Sequence, residues 1–247
     1  MAGPMNWTSG LLSRNGDVTQ TSKLILWGAG TSRTIRPHWV LHELGLGYES
    51  RAIGPRTGET KSAEFTALSP RQKIPLLQDG DLTIGESAAI IAYLARTYES
   101  PGRQLIPSAA KDYAKWLEWC FYIVTELDSA SLYVMRRHAS NGLAHIYGLA
   151  PEVVAKAGEY FRDQLRLADA ALRDGRQYLC GTQFTTADIL LATCLEWAID
   201  YGVGICDSAK PYLARIQQRP AYQFAIKVNA PLKPGSPVVR QILSGAA

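Results

Sequence analysis

Between Ser100 and Pro107 the pattern of this 247-residue chain changes, and that change constrains the fold more than any other feature. Before it, short apolar runs alternate with helical stretches. Leu24-Ile25-Leu26-Trp27 reads as a strand, followed by a helix ending at Gly45. A weaker strand at Tyr48–Ala52 leads into a Gly/Pro/Arg loop, 54–58, and a short helix at Lys61–Leu68. Lys73–Gln78 and Asp81–Ile84 read as two strands joined at Asp79-Gly80, a strong hairpin signal because glycine accepts positive φ. Glu86–Arg96 has Ile90, Ile91 and Leu94 at helical spacing. The order is βαβαββα.

Pro101, Gly102 and Pro107 mark a linker, and beyond it no stretch reads convincingly as a strand. Helices are predicted at Tyr113–Arg137, from Pro151 to Asp174, at Thr185–Tyr201 and at Ala209–Arg219. Pro151 suits a first helical turn. Phe184-Thr185-Thr186-Ala187-Asp188 has the form of a capping box with a hydrophobic staple from Phe184 to Ile189. The fold class is therefore α/β plus all-α. The expected division is a flexible tail at 1–22, an α/β domain at 23–98, a linker at 99–108, a helical domain at 109–230 and a C-terminal tail at 231–247.

Net charge is +4, and the basic residues are dispersed, with no run longer than Arg136-Arg137, so nucleic acid is not an expected partner. No apolar stretch reaches the roughly 18–20 residues of a membrane span, and the first 22 residues do not read as a secretory signal. Cys120, Cys180, Cys194 and Cys206 show no CxxC spacing and suit reduced thiols in a cytoplasmic protein.

Several local sequences, in this order, resemble the glutathione transferases. Lys73-Ile74-Pro75-Leu76-Leu77, the hairpin Asp79-Gly80-Asp81-Leu82 and Glu86-Ser87-Ala88-Ala89-Ile90 are similar to the N-terminal signature of that superfamily. Phe184–Asp188 and Arg219-Pro220-Ala221-Tyr222 resemble motifs of its C-terminal domain. The resemblance spans roughly 23–229 and is to bacterial-type members with a Ser/Thr hydroxyl site. It implies a thioredoxin-like N-terminal domain, glutathione as co-substrate without a permanent cofactor, a hydrophobic electrophile, detoxification chemistry and a homodimer.

The resemblance also implies site roles. Pro75 would be a cis-proline that presents the Ile74 backbone N–H and C=O to the peptide, as an added strand does. Lys73 would stand beside the glycyl carboxylate. The helix start at Glu86-Ser87 would receive the γ-glutamyl carboxylate on its free N–H groups, with the Ser87 hydroxyl as an extra donor and Glu86 as partner of the ammonium. Glu86-Ser87 also fits an ordinary helix N-terminus.

Family members differ in the group facing the thiol. Here the stretch is Gly28-Ala29-Gly30-Thr31-Ser32-Arg33-Thr34-Ile35-Arg36, without Cys or Tyr. Aligning Arg36 and Gly45 with their counterparts in Ser-type members puts Thr31 at the serine position, with Ser32 the next choice and Arg33 or a backbone N–H after it. Both hydroxyls also suit a helix cap. Pro37 forbids a regular helix from Ser32, and either moves the start toward Thr34 or distorts the helix.

His38 and His42, four apart, can share a helical face, but no further ligands accompany them, so no metal is expected. Tyr113 and Trp116 are candidates for the electrophile pocket, although core packing suits that aromatic helix better. Trp197 fits core or pocket. Arg136-Arg137-His138 suits a solvated helix end.

Overall fold

A computed structural model describes residues 24–232 and 239–244. The expected N-terminal tail lies outside the described residues. The βαβαββα order is observed: β1 (Ile25–Trp27), α1 (Ile35–Glu43), β2 (Tyr48–Ala52), α2 (Ala63–Leu68), β3 (Leu76–Asp79), β4 (Leu82–Gly85) and α3 (Ser87–Thr97). β1 pairs parallel with β2 and antiparallel with β3, which forms the hairpin with β4. Gly80 at its tip has φ 59°, the positive φ that the Asp79-Gly80 step signals. α1 begins only at Ile35, so Pro37 falls in its first turn, where no intrahelical N–H is required of it.

The helical half comprises α4 (Ala110–Tyr122), a π-helical stretch (Ile123–Leu132), α5 (Tyr133–His138), α6 (Ala144–Tyr147), α7 (Pro151–Leu172), α8 (Thr186–Asp200), α9 (Ala209–Gln217) and α10 (Pro220–Val228). The single helix predicted across Tyr113–Arg137 is thus widened in its middle. The Ser131 hydroxyl is shared between the Leu127 carbonyl, four residues back, at 2.5 Å and the Glu126 carbonyl, five residues back, at 3.0 Å. Side-chain hydrogen bonding of this kind supports the wider π spacing. The expected capping box is present at the start of α8, where the Thr185 N–H donates to Asp188 Oδ2 at 2.8 Å. Asp188 also accepts from the Leu179 N–H and from the Tyr212 hydroxyl, both at 2.8 Å, so this buried carboxylate ties three segments together.

The C-terminal tail expectation is corrected. Val239–Leu243 forms a fifth strand, β5, antiparallel to β2, and the sheet runs β4-β3-β1-β2-β5. Here β5 covers an edge of β2 that would otherwise present unpaired backbone groups. α10, absent from the predicted helices, packs on α1. The aromatic core crosses the linker: Trp39 lies 4.8 Å from Tyr222 and 6.1 Å from Phe184 between ring centroids. Arg219 makes a two-pronged ion pair with Glu43 at 2.6 and 2.7 Å. The two halves therefore share one continuous core.

His38 and His42 are buried parts of that core. His38 bonds Tyr48 Oη at 2.7 Å and the Gly28 carbonyl at 3.2 Å, and His42 stacks on Phe224 at 3.6 Å. Burial lowers both from 6.5 to about 4, so both are neutral near pH 7. Their protonation favours the unfolded chain. The stability they contribute is complete above about pH 6.5 and is lost as pH falls toward 4, by up to about 3 kcal/mol for His38 and less for His42, which solvent screens more. Urea melts across this range are expected to show that loss, and a His42→Phe variant a smaller one.

Candidate functional site

The hairpin β3–β4, the turn before it and the start of α3 enclose a cavity of about 460 Å³ lined by Lys73, Ile74, Pro75, Glu86 and Ser87, with Arg33 and Tyr133 closing it from the other side. All five residues expected at the peptide site therefore meet in one place. The Ile74-Pro75 bond is cis. Lys73 is exposed, and among the described residues its ammonium has no hydrogen-bond or ion-pair partner. Glu86 caps α3 with φ 63°, a left-handed conformation that a non-glycine residue holds only under constraint, and such strain gathers at functional sites. Its carboxylate pairs with Arg71 at 2.7 Å on the surface. An exposed pair of this kind is worth at most about 1 kcal/mol, so a ligand ammonium can displace Arg71.

Ser87 is buried, and its Oγ accepts from Arg36 Nη1 at 3.1 Å. Its own proton stays available to a ligand carboxylate, as do the first N–H groups of α3. Arg36, read from sequence only as an alignment anchor, is 1% exposed. It also donates to Thr193 Oγ1 at 2.9 Å and lies 2.7 Å from Asp128 Oδ2 as an ion pair. Asp128 takes Arg33 on its other oxygen, through Nε at 3.0 Å. Burial raises the Asp128 pKa, but Arg36 and Arg33 outweigh it and hold the carboxyl below its usual range. The π-helical stretch thus supplies a buried anion that fixes two arginines, one behind Ser87 and one facing the cavity. Arg33 is held over the Tyr133 ring at 4.5 Å. No sequence signal marked Asp128, because its partners lie about ninety residues away.

The structure separates the two candidate hydroxyls. Thr31 lines a narrow cavity of about 80 Å³ with Arg33, Lys73, Ile74 and Tyr133, which continues the larger one around Ile74. Ser32 faces a different cavity, of about 430 Å³, which it shares with Thr31 but not with Lys73 or Ile74. Thr31 and Thr34 form a closed turn. The Thr34 N–H donates to Thr31 Oγ1 at 3.1 Å, the Thr31 N–H donates to Thr34 Oγ1 at 2.9 Å, and the two hydroxyls lie 3.0 Å apart.

Asn229, at the C-terminal end of α10, locks this turn. Its Oδ1 accepts from the Thr34 hydroxyl at 2.6 Å and the Gly30 N–H at 3.1 Å, and its Nδ2 donates to the Thr31 carbonyl at 3.0 Å. The Gly30 N–H and the Thr31 carbonyl each allow only one orientation of the amide. With the Thr34 proton directed to Asn229 Oδ1 at 2.6 Å or to the Thr31 carbonyl at 3.0 Å, the Thr31 hydroxyl keeps its own proton for Thr34 Oγ1 or for a stronger acceptor in the cavity. In sequence, Asn229 marks only the end of the stretch that resembles the family, and nothing there points back about two hundred residues to Thr31.

The two electrophile-pocket candidates lie on α4. Trp116 is 2% exposed and donates to Thr186 Oγ1 at 3.0 Å. It lines a cavity of about 560 Å³ between α3 and α4 that also reaches Ser87 and Arg33, and that does not include Thr31. Tyr113 is 43% exposed and packs its ring on Trp116 at 5.2 Å. The open cavity beside Thr31 is instead lined by Ile35, Leu143, Trp197, Tyr201 and Arg136. Arg136 is therefore half-buried at a cavity wall, a correction to its reading as a solvated helix end. Among the four thiols, burial raises Cys180 to about 11 and Cys194 to about 12, and raises Cys120 and Cys206 as well, so none is poised as a nucleophile. No cluster of three metal-ligating side chains occurs among the described residues, and no described helix is long and apolar enough to cross a membrane.

Comparison with known proteins agrees with this architecture. Residues 22–96 match the family model "Glutathione S-transferase, N-terminal domain", and residues 151–237 match "Glutathione S-transferase, C-terminal domain". Glutathione S-transferase 3 of Zea mays is 34% identical over 223 residues, covering 85% of this chain and 96% of that protein. Among solved structures, a glutathione transferase from Methylococcus capsulatus superposes with a TM-score of 0.72 at 26% identity, covering 83% of this chain and 98% of its own. A theta class enzyme from Xanthomonas axonopodis pv. citri, with glutathione bound, gives a TM-score of 0.69 at 27% identity over 83% of this chain and 97% of its own. The fold is a thioredoxin-like domain followed by a helical domain, and the chain belongs to the glutathione S-transferase family.

Proposed function

We propose that the protein binds glutathione along the groove from Glu86-Ser87 past Ile74 to Thr31, and transfers its thiolate to an electrophilic small molecule. The observation that carries this reading is the convergence of Lys73, Ile74, Pro75, Glu86 and Ser87 on one cavity that continues to Thr31. The γ-glutamyl carboxylate would lie on the start of α3 and the Ser87 hydroxyl. The ammonium would take Glu86 from Arg71, the cysteinyl backbone would pair with Ile74, and Lys73 would meet the glycyl carboxylate. The thiol then comes to the Thr31 end.

The energy required is modest. Lowering a thiol pKa from about 8.5 by two units needs about 2.7 kcal/mol. One hydrogen bond to a charged acceptor supplies about 1.5–3 kcal/mol, so the Thr31 hydroxyl suffices, aided by the nearby Arg33 cation. With an aryl chloride, the thiolate sulfur forms the new C–S bond and chloride leaves with the C–Cl electron pair. The thiol proton goes to solvent. Thr31→Val is expected to lower kcat/KM at least tenfold while leaving glutathione retention nearly intact. Ser32→Ala is expected to matter less, because Ser32 does not share the Ile74 cavity.

Retention on immobilised glutathione, with turnover of an activated aryl halide, tests the proposal. Failure of retention rejects the site. Retention without turnover on a broad electrophile panel favours a ligand carrier or assembly module, and turnover of hydroperoxides or isomerisation substrates alone favours the related reactions of this fold. A cytoplasmic homodimer is part of the same proposal, and a monomer in sedimentation at micromolar concentration contradicts it.

A further inference from the structure

The narrow cavity at Thr31 is unusual in charge. Arg33, Arg56, Lys73 and Arg136 all line it, and no carboxylate does. Arg33 shares the Asp128 carboxylate with Arg36. Arg136 has no hydrogen-bond or ion-pair partner for its guanidinium among the described residues, and burial, with Arg56 next in effect, lowers its pKa. Arg56, on the loop after β2, lies against the Tyr147 phenol together with Arg137 and depresses its pKa. Among the described residues, three cations (Lys73, Arg56 and Arg136) therefore remain around the Thr31 end without an acidic partner.

On the reading proposed above, glutathione brings one carboxylate to this end, and Lys73 meets it. That leaves Arg136, reached from the helical half. Its position is distinctive, because it lines both the narrow cavity and the open one of about 430 Å³ whose apolar wall includes Trp197, Ile35 and Leu143. The open cavity also contains Glu196 and Asp200. Burial raises both carboxyls, Glu196 accepts from Tyr222 and Gln217, and neither pairs with Arg136. A half-buried arginine without a counter-ion is costly until an anion arrives, and a planar carboxylate fits its fork.

We propose that the second substrate is an aromatic or aliphatic electrophile bearing an anionic group, a carboxylate or sulfonate, held by Arg136 with Arg56 beside it. Its apolar body lies on Trp197, and its reactive carbon faces the thiol at Thr31. This replaces a purely hydrophobic acceptor with an amphiphilic one and rests on the glutathione reading.

The test compares 4-chloro-3,5-dinitrobenzoate with its methyl ester, each rate normalised to its uncatalysed reaction with glutathione. The acid is expected to be favoured at least tenfold in kcat/KM, mainly through KM. Arg136→Gln is expected to reduce that preference at least tenfold, and Arg56→Gln, a change on an exposed loop, at least threefold. A wild-type enzyme that does not favour the acid, or a preference that survives both substitutions, overturns the proposal. A binding arm needs no turnover: titration with 4-nitrobenzoate and with its methyl ester, followed by calorimetry. Failure to retain glutathione, with a tenfold preference for the nitrobenzoate that Arg136→Gln removes, rejects the glutathione reading and sustains the anion site. Equal binding of acid and ester rejects the anion site whatever the glutathione result.

Discussion

Asp128→Ala is expected to cost about 3–5 kcal/mol of folding stability, the largest effect of any single change considered. Asp128 is 1% exposed and holds Arg36, also 1% exposed, and Arg33. Removing the carboxylate leaves Arg36 buried as a cation with only the neutral partners Thr193, Ser87 and Cys194. A total stability of about 5–15 kcal/mol is ordinary for a domain, so the loss is a large fraction. Urea denaturation reads it directly. A loss under about 1 kcal/mol would show that the network is dispensable. Because Ser87 and Arg33 both face the candidate peptide cavity, Asp128→Asn, which keeps the shape but not the charge, is expected to weaken glutathione retention as well as stability.

Asn229→Ala is the second large effect, and it falls on activity. The side chain makes three hydrogen bonds to the loop that carries Thr31. The Gly30 N–H keeps the Asn229 backbone carbonyl at 3.1 Å, so the loop stays attached to α10. What is lost is the 2.6 Å acceptor of the Thr34 hydroxyl and the donor that positions the Thr31 carbonyl. Misplacement by about 1 Å can cost about 100-fold in rate. A fall in kcat of at least tenfold is expected, with glutathione KM changed little. Asn229→Asp keeps the two acceptor contacts but sets an anion against the Thr31 carbonyl, so it is expected to restore little. A variant with unchanged kcat would remove Asn229 from the account.

The differences between sequence and structure have physical causes. The βαβαββα order was legible because each strand and helix carries its own local pattern, and the five residues proposed for the peptide site, which the fold brings to one cavity, sit within fifteen positions of one another. Pro37 correctly moved the start of α1, because its missing N–H acts locally. β5 was not legible: it is a short edge strand that follows a Pro/Gly-rich run, and its pairing partner β2 lies nearly two hundred residues away. The same holds for Asp128 and Asn229. Each is an ordinary residue in its local context and acquires its role only when the helical half folds back onto α1. Trp116 lines a cavity that reaches Ser87 and Arg33, while Trp197, which fitted core or pocket in sequence, lines the open cavity at Thr31.

The central claim is that the Thr31 turn stabilises a thiolate on a peptide held between Lys73 and Ser87. The ultraviolet absorbance of the thiolate, followed across pH on the glutathione complex, measures it most directly. The account predicts a midpoint well below the free thiol value of about 8.5, returning toward that value in Thr31→Val while glutathione remains bound. A wild-type midpoint equal to that of free glutathione, or one that Thr31→Val does not move, would contradict it.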